Sequence, residues 1–194
     1  RRCTRERSLA MAATRDPLTG LLNRSAMQER LEELMSVSQL GGDPLAVFFA
    51  DLNNFKALND TEGHQAGDEV LKSVADALRR AVRPGDLAAR VGGDEFVVMV
   101  DGGVDPAVVA ERLRRAVQRP VTVNGHELVT TASIGFAVNS TIGLTADELL
   151  RDADAAMYRA KAGGRDRVEA FTEETRRASV TALQTSSELR RGLE

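Results

Sequence analysis

The chain has 194 residues, 42% of them hydrophobic and 28% charged, which is enough to bury the core of one domain with terminal helices. Its net charge of -3 excludes a generally basic nucleic-acid-binding protein, although a nucleotide site needs only a local cluster of cations. Cys3 is the single cysteine, so an internal disulfide is excluded, and we expect a domain of the reducing cytoplasm.

The start of the chain indicates a piece of a longer protein, because Arg1-Arg2 stand where a full-length chain would have Met. Residues 5–14 predict a linker helix from an upstream module, which stops at Asp16-Pro17. No apolar stretch reaches the roughly 20 residues that span a bilayer, yet the parent protein can be membrane-anchored elsewhere.

The next elements alternate between helix and strand. Asn23 predicts the N-cap of a helix over residues 24–38, whose apolar residues follow the helical period. The apolar run at 45–50 predicts a buried strand that brings Asp51 to a sheet edge. A further helix is predicted from Gly63 to about residue 82, before Pro84-Gly85.

Two apolar runs at residues 86–91 and 96–100 flank Gly92-Gly93-Asp94-Glu95 and predict a hairpin. The glycines predict a two-residue turn with positive φ angles, and their bare backbone would let phosphates approach. Two acids at such a tip would hold a divalent cation well. Taken alone, however, this short sequence favours a solvated acidic hairpin.

The remaining segments complete a mixed fold. They are a helix at 106–118, strands at 121–123 and 128–138 around the turn Asn124-Gly125, a helix at 146–162 and a short strand at 167–170. Helices that alternate with mostly antiparallel strands predict an α+β fold, a sheet with helices packed against it. Phe48, Phe49, Phe96, Ile134 and Phe136 are the predicted aromatic and aliphatic core.

Several spaced motifs together resemble the GGDEF family, the diguanylate cyclases, which condense two GTP into cyclic di-GMP and release pyrophosphate. The motifs are Asp16-Pro17-Leu18-Thr19-Gly20-Leu21-Leu22-Asn23-Arg24, Asp51-Leu52-Asn53-Asn54-Phe55-Lys56, Gly63-His64-Gln65-Ala66-Gly67-Asp68, Gly92-Gly93-Asp94-Glu95-Phe96 and Lys161-Ala162-Gly163-Gly164-Arg165-Asp166-Arg167. The resemblance implies a ferredoxin-like palm of the nucleotide cyclase type, with a central, mainly antiparallel sheet flanked by helices.

The resemblance also divides the chain. Residues 16–170 are expected to form the GGDEF catalytic domain, and residues 1–15 the N-terminal linker helix. Residues 171–194 resemble the connector helix that leads to an EAL phosphodiesterase domain, although a frayed chain end explains their polar composition equally well.

The expected chemistry joins a 3′-oxygen to an α-phosphorus, a task that paired divalent ions perform well. The resemblance implies Mg²⁺ or Mn²⁺ bound by Asp51, Asp94 and the backbone carbonyl of Leu52. It assigns Glu95 either to deprotonation of the attacking hydroxyl or to the second ion, and both roles stay open. Asn53 replaces the Asp common in the family, at a position that is not normally a ligand.

Guanine recognition is assigned to Asn59 and Asp68, because a carboxylate can accept hydrogen bonds from guanine N1–H and its 2-amino group. The triphosphate is expected to meet Lys56, Lys161, Arg165, Gly92, Gly93 and the backbone amides around Asn54 and Phe55. Lys161 and Arg165 share one face if the helix continues, whereas Gly163-Gly164 would end it.

A second site is suggested by Arg83-Pro84-Gly85-Asp86, which lies where the family has its inhibitory Arg-x-x-Asp site for the product. Arginine can bond the Hoogsteen edge of guanine while Asp takes the amino edge. By itself, such a pair is an ordinary loop ion pair. A solvated helix face is expected to carry Arg112, Arg114 and Arg115, and one of these arginines could contribute to this site.

The sequence therefore predicts a diguanylate cyclase that acts as a homodimer with one GTP per protomer, with cyclic di-GMP as product and allosteric inhibitor. An upstream sensor domain and a following EAL domain are its expected covalent partners, and nucleic acid is not. One alternative is a silent GTP-binding module that controls an attached phosphodiesterase. Another is a cyclic di-GMP receptor that acts through Arg83 and Asp86 alone.

Overall fold

The structure, a computed structural model, describes residues 14–123, 125–139 and 143–172. The predicted linker helix lies outside these residues except for Thr14 and Arg15, and the predicted connector lies outside them except for its first two residues. Within the described residues, none of the helices has the length and apolar character needed to cross a bilayer.

Five helices and seven strands make up the described residues. The helices are α1 (Arg24–Gln39), α2 (Phe55–Glu62), α3 (His64–Ala81), α4 (Pro106–Val117) and α5 (Ala146–Ala162). The strands are β1 (Leu45–Leu52), β2 (Leu87–Arg90), β3 (Glu95–Asp101), β4 (Val121–Val123), β5 (His126–Leu128), β6 (Ala132–Val138) and β7 (Val168–Ala170).

The main sheet has the strand order β2-β3-β1-β6-β7, and β4 pairs with β5 in a separate hairpin. Every pair in the main sheet is antiparallel except β6 with β7. The predicted α+β fold with a mainly antiparallel sheet is therefore confirmed.

Both faces of the sheet are covered, which explains why all eight residues of β1 are buried. Successive side chains of a strand point to opposite faces. Phe48 accordingly packs into the layer formed with α3 and α4, whereas Val47 and Phe49 pack into the layer formed with α1 and α5. The five predicted core residues are each no more than 9% exposed. A continuous apolar run is thus the expected sequence of this central strand.

The helix starts follow from local hydrogen bonding. Asn23 caps α1 as predicted, since its side chain accepts a hydrogen bond from the Ala26 N–H at 3.0 Å. The start of α4 has Pro106 in its first turn, as predicted, with Asp105 as the capping residue.

Two features differ from the predicted elements. Helix α2 was not predicted, because it has only eight residues and Phe55 is the only one of them that is buried. The single strand expected at 128–138 is interrupted, since β5 pairs with β4 outside the main sheet whereas β6 pairs with β1. The break falls at residues 129–131, where the Thr131 carbonyl accepts a hydrogen bond from the Asn53 N–H at 2.8 Å.

Candidate active site

The strand register brings two of the predicted catalytic carboxylates together. Asp51, near the end of β1, pairs directly with Glu95, the first residue of β3. Directly opposed residues of an antiparallel pair have their side chains on the same face, with Cβ atoms about 5 Å apart. One residue further, the Leu52 N–H donates to the Asp94 carbonyl at 3.1 Å. The predicted metal ligands and Glu95 therefore share one edge of the sheet.

The turn between β2 and β3 differs from the prediction. Neither Gly92 nor Gly93 has a positive φ angle, so the predicted conformation is wrong. The loop holds three residues instead of two, since the Val91 N–H donates to the Glu95 carbonyl across it. The Arg90 guanidinium fixes this turn by donating to the Gly93 carbonyl at 2.8 and 3.1 Å.

Gly92 is required for a different reason. A Cβ atom at Gly92 would lie 2.2 Å from Oε2 of Glu95, whereas a Cβ at Gly93 would meet nothing within 4 Å. The Glu95 carboxylate thus folds back over the Gly92 backbone. Only a residue without a side chain allows that approach.

The charge of Asp51 is balanced by a lysine from another element. Lys161, in the last turn of α5, places its Nζ 2.6 Å from Oδ2 of Asp51. The Asp51 side chain is only 9% exposed, and that of Lys161 is 30% exposed. Burial raises the pKa of Asp51, with a further upward contribution from Asp94, although the Lys161 hydrogen bond opposes the shift. Burial, Asp51 and Asp94 likewise raise the pKa of Glu95.

These residues fit a divalent cation by the chemistry of their donors. Asp51, Asp94 and Glu95 place negative charge at one edge, and a cation, Lys161, already binds Asp51. No three acidic, histidine or cysteine side chains of the described ranges converge into a ready-made metal site. Mg²⁺ commonly binds through one or two carboxylates together with substrate phosphates, so an incomplete protein ligand set matches that ion.

A fourth acidic residue was missed by the sequence reasoning. Asp154 lies on α5 seven residues before Lys161, which is about two helical turns and therefore the same face. Its negative charge contributes to the raised pKa values of Asp51 and Glu95. Burial raises the pKa of Asp154 itself, while Lys161 opposes that shift. The seven-residue spacing from Lys161 was the available signal.

The residues assigned to guanine lie on adjoining helices. Asn59 is in α2 and Asp68 is exposed in α3. A Cβ at Gly67 would lie 1.9 Å from Oδ1 of Asn59, so the Asn59 side chain lies against the backbone beside Asp68. The structure thus brings the two predicted residues together, and Gly67 is a residue that the sequence reasoning did not single out.

The segment after β1 is held by buried hydrogen bonds. The Asn53 side chain donates to Oγ1 of Thr131 and accepts from Oγ of Ser133, both at 2.8 Å. Asn54 follows in the left-handed conformation, with φ 59°, and precedes α2. Phe55 is buried, whereas Lys56 is exposed on the first turn of α2. Asn53 therefore acts as a structural support, and its amide supplies both the donor and the acceptor that these bonds need.

The end of α5 decides whether Lys161 and Arg165 share a helical face. The helix stops at Ala162, because the Gly164 N–H donates to the Lys161 carbonyl and the Arg165 N–H donates to the Ala160 carbonyl. Gly164 has φ 119° and Arg165 has φ 62°. Arg165 is exposed beyond the helix, so Lys161 and Arg165 do not share a helical face.

The predicted inhibitory residues form a tight turn. The Asp86 carboxylate accepts a hydrogen bond from the Arg83 backbone N–H at 2.9 Å, and the Asp86 N–H donates to the Arg83 carbonyl at 3.1 Å. The Arg83 side chain is exposed. The ion pairs of the described residues include no contact between the Arg83 guanidinium and Asp86, so the turn does not depend on one.

Next to this turn, a groove of about 780 Å³ lies between α3 and α4. Its arginines are Arg80, Arg112, Arg115 and Arg119. Arg114 is not among them, since it binds Glu111 and Asp166 and its side chain is only 18% exposed. The expectation of a solvated arginine face therefore fails for Arg114, whose ion pairs connect α4 to the loop after α5.

We predict that Gly92→Ala displaces the Glu95 carboxylate from its place over the turn. The new Cβ would overlap Oε2 of Glu95, so the side chain must move away from Asp51 and Asp94 towards water. The raised pKa of Glu95 should then fall towards its ordinary value of 4.5. Carboxyl ¹³C NMR titration measures this shift, with Gly93→Ala as the matched control. Equal pKa values in both variants would contradict the close approach.

Comparisons with known proteins identify a family for this chain. The model of the family described as diguanylate cyclase, GGDEF domain, matches residues 13–167. The chain is 37% identical over 188 residues to the cyclic di-GMP phosphodiesterase NbdA of Pseudomonas aeruginosa, covering 96% of this chain and 24% of that protein. It is 45% identical over 168 residues to the response regulator PleD of Caulobacter vibrioides, covering 84% of this chain and 37% of that protein.

Among solved structures, the chain is similar to the coiled coil and GGDEF domain of DgcB from Caulobacter crescentus, in complex with c-di-GMP. The TM-score is 0.80 and the sequence identity is 33%, and the match covers 86% of this chain and 90% of that one. The mainly antiparallel sheet flanked by helices is therefore the fold of GGDEF domains. The chain belongs to the GGDEF family. It spans less than half the length of the curated relatives NbdA and PleD.

Proposed function

We propose that this domain is a diguanylate cyclase that joins two GTP into cyclic di-GMP with release of pyrophosphate. The observation that carries the proposal is the strand register that places Asp51 opposite Glu95, with Asp94 beside them and Lys161 on the same edge. Acidic residues suit divalent-ion catalysis of phosphoryl transfer, and a cation beside them suits a triphosphate.

In this mechanism Asp51, Asp94 and the Leu52 carbonyl would hold Mg²⁺ or Mn²⁺, which would lower the pKa of the attacking hydroxyl and neutralise phosphate charge. Glu95 would accept the proton of the 3′-hydroxyl or help to hold the second ion. Its raised pKa makes its carboxylate a stronger base than an ordinary glutamate. Lys56, Lys161 and Arg165 would bind the triphosphate.

Specificity for guanine would come from Asn59 and Asp68, which lie side by side on α2 and α3. The exposed Asp68 carboxylate can accept two hydrogen bonds from guanine N1–H and its amino group. Adenine offers no such pair of donors in that geometry, so Asp68 would be left unpaired by ATP.

The product requires two nucleotides, and one chain supplies a single set of these residues. We therefore propose that two protomers face each other as a homodimer, each presenting one GTP to the other. Each 3′-oxygen then attacks the α-phosphorus held by the opposite chain, and both steps use the same residues.

The direct test is incubation of the purified chain with GTP and Mg²⁺, followed by chromatography for cyclic di-GMP. The expected result is cyclic di-GMP and pyrophosphate in the ratio of one to two, with no product from ATP. GTP that binds and stays intact would contradict the proposal and would support the second candidate.

That second candidate is a silent GTP-binding module that regulates an attached phosphodiesterase. The observation in its favour is the 37% identity to NbdA, whose name describes a cyclic di-GMP phosphodiesterase and of which this chain spans 24%. The catalytic carboxylates of the present chain argue for turnover. The chain has all three acidic residues, and they lie at one edge of the sheet: Asp51, Asp94 and Glu95.

We further propose that cyclic di-GMP inhibits the enzyme by binding at Arg83 and Asp86. The exposed Arg83 side chain is available to a ligand, and the neighbouring α3/α4 groove carries four arginines that suit an anion with guanine bases. Arg112 and Arg115 line this groove, so either of them could lend the additional arginine expected at the inhibitory site.

Arg83→Ala is therefore expected to remove cyclic di-GMP binding measured by calorimetry without GTP or metal. The fold should survive, since an exposed turn arginine supports little of the core. Turnover of the variant should continue as product accumulates, whereas the unmodified enzyme slows. Arg30→Ala, on the distant helix α1, serves as the control with unchanged binding. Identical isotherms for Arg83→Ala and the unmodified chain would refute the site.

A further inference from the structure

The ion pair between Lys161 and Asp51 has a consequence for metal binding. The lysine ammonium lies 2.6 Å from Oδ2 of a carboxylate whose side chain is only 9% exposed. That carboxylate is also a predicted metal ligand. Lys161 thus supplies to Asp51 the positive charge that a divalent ion would bring.

The position of Lys161 follows from how α5 packs. A Cβ at Gly135 of β6 would lie only 2.0 Å from the Met157 nitrogen and 2.3 Å from the Ala153 oxygen, so the helix backbone lies directly on the strand beside β1. Helical side chains lean towards the N-terminus of their helix. The Lys161 stem therefore runs back along α5 and reaches Asp51.

We propose that Lys161 competes with the divalent cation for Asp51, and that the nucleotide relieves this competition by offering its phosphates to Lys161. The inference rests on the proposed function, since it requires that metal and GTP use this edge. It adds a coupling between the two ligands that passes through one side chain.

The physical reason is repulsion between like charges. An ammonium and a divalent ion that share one nearly buried carboxylate would repel each other, because little water lies between them to screen the charges. Without nucleotide, the ion must displace Lys161 from its only ion-pair partner among the described residues. With nucleotide, Lys161 gains phosphate partners instead. Metal and GTP therefore bind cooperatively, each tightening the other by the same factor.

The test measures Mn²⁺ binding by electron paramagnetic resonance at one pH, with and without a GTP analogue that carries an unreactive α,β-methylene bridge. Lys161→Gln keeps a hydrogen-bond donor without the charge, and Lys161→Met keeps the length of the stem. Arg165→Gln is the matched control, since Arg165 is also a predicted phosphate ligand but is exposed beyond the helix end. Thermal unfolding shows that each variant is folded.

Without nucleotide, both Lys161 variants should bind Mn²⁺ more tightly than the unmodified chain, on the order of tenfold, because they no longer hold a competing cation. The increase in Mn²⁺ affinity caused by the analogue should shrink by a similar factor. Arg165→Gln should weaken the analogue but leave nucleotide-free Mn²⁺ affinity unchanged.

Equal or weaker Mn²⁺ affinity in both folded Lys161 variants would overturn the competition. If the analogue still promoted Mn²⁺ binding to the unmodified chain in that case, the proposed enzyme function would stand. Failure of every form to bind Mn²⁺, with or without the analogue, would overturn the metal site and the function together.

Discussion

Replacing Glu95 by Gln is expected to lower the rate of cyclic di-GMP formation by a factor of about 10² to 10⁴, which is the rate enhancement that general acid–base groups contribute. The amide has nearly the same shape but cannot accept the proton of the 3′-hydroxyl. Glu95 is assigned to neither the guanine nor the triphosphate contacts, so affinity for the unreactive GTP analogue should change by less than about threefold. Chromatography of product and calorimetry of the analogue measure the two quantities.

The control is Glu127→Gln, an exposed residue of β5 in the separate hairpin. It makes the same chemical change at a residue with no assigned role in the site and should leave turnover intact. Full turnover in Glu95→Gln would refute the catalytic assignment. Loss of analogue binding together with turnover would instead move Glu95 to substrate binding.

Gly135→Ala is expected to be the most destabilising single-methyl change in the described part of the chain. The new Cβ would lie 2.0 Å from the Met157 nitrogen, 2.3 Å from the Ala153 oxygen and 2.6 Å from the Ala156 carbonyl carbon. All three are backbone atoms of α5, so no side-chain rotation relieves the overlap. The helix must move off β6, at a cost of about 3 kcal/mol or more.

Urea unfolding measures that cost as a lower midpoint at an unchanged slope. Gly93→Ala again serves as control, because its added methyl meets nothing within 4 Å and its backbone has no positive φ angle. A midpoint for Gly135→Ala within experimental error of the unmodified chain would contradict the close packing of α5 on β6.

Most of the fold could be predicted from the sequence, because periodicity and capping residues are local signals. The buried run of β1 and the helices α1, α4 and α5 lie within a residue or two of their predicted bounds. Helix α2 could not be predicted, since it has only eight residues, buries only Phe55 and begins after an Asn54 in the left-handed conformation, with no capping side chain. The break before β6 arises because β5 pairs with β4 whereas β6 pairs with β1. Such pairing is set by tertiary structure and not by the local sequence.

For the candidate site, the sequence predicts residues and roles but not most of the contacts between them. The family resemblance implies that Asp51 and Glu95 belong to one site, and the strand register does pair them. The ion pair of Lys161 with Asp51 depends on how closely α5 approaches β6, and no local pattern encodes that approach. The role of Gly92 was also misjudged, because its cause is a nearby side chain and not its own φ angle.

The route of the chain gives the domain two unlike ends. Asp16, near the start of the described chain, binds Arg90 at 3.3 Å, and Arg90 donates to the Gly93 carbonyl of the β2–β3 turn. The other end leaves the sheet after β7, where the Phe171 N–H donates to the Phe136 carbonyl at 2.7 Å. Because β7 runs parallel to β6, Thr172 exits about 15 Å along the sheet from the reacting edge. A reporter fused after Thr172 would therefore attach away from the proposed site, whereas a pull on residues 14–22 would be transmitted to the β2–β3 turn through Arg90 and the backbone hydrogen bonds of Leu22.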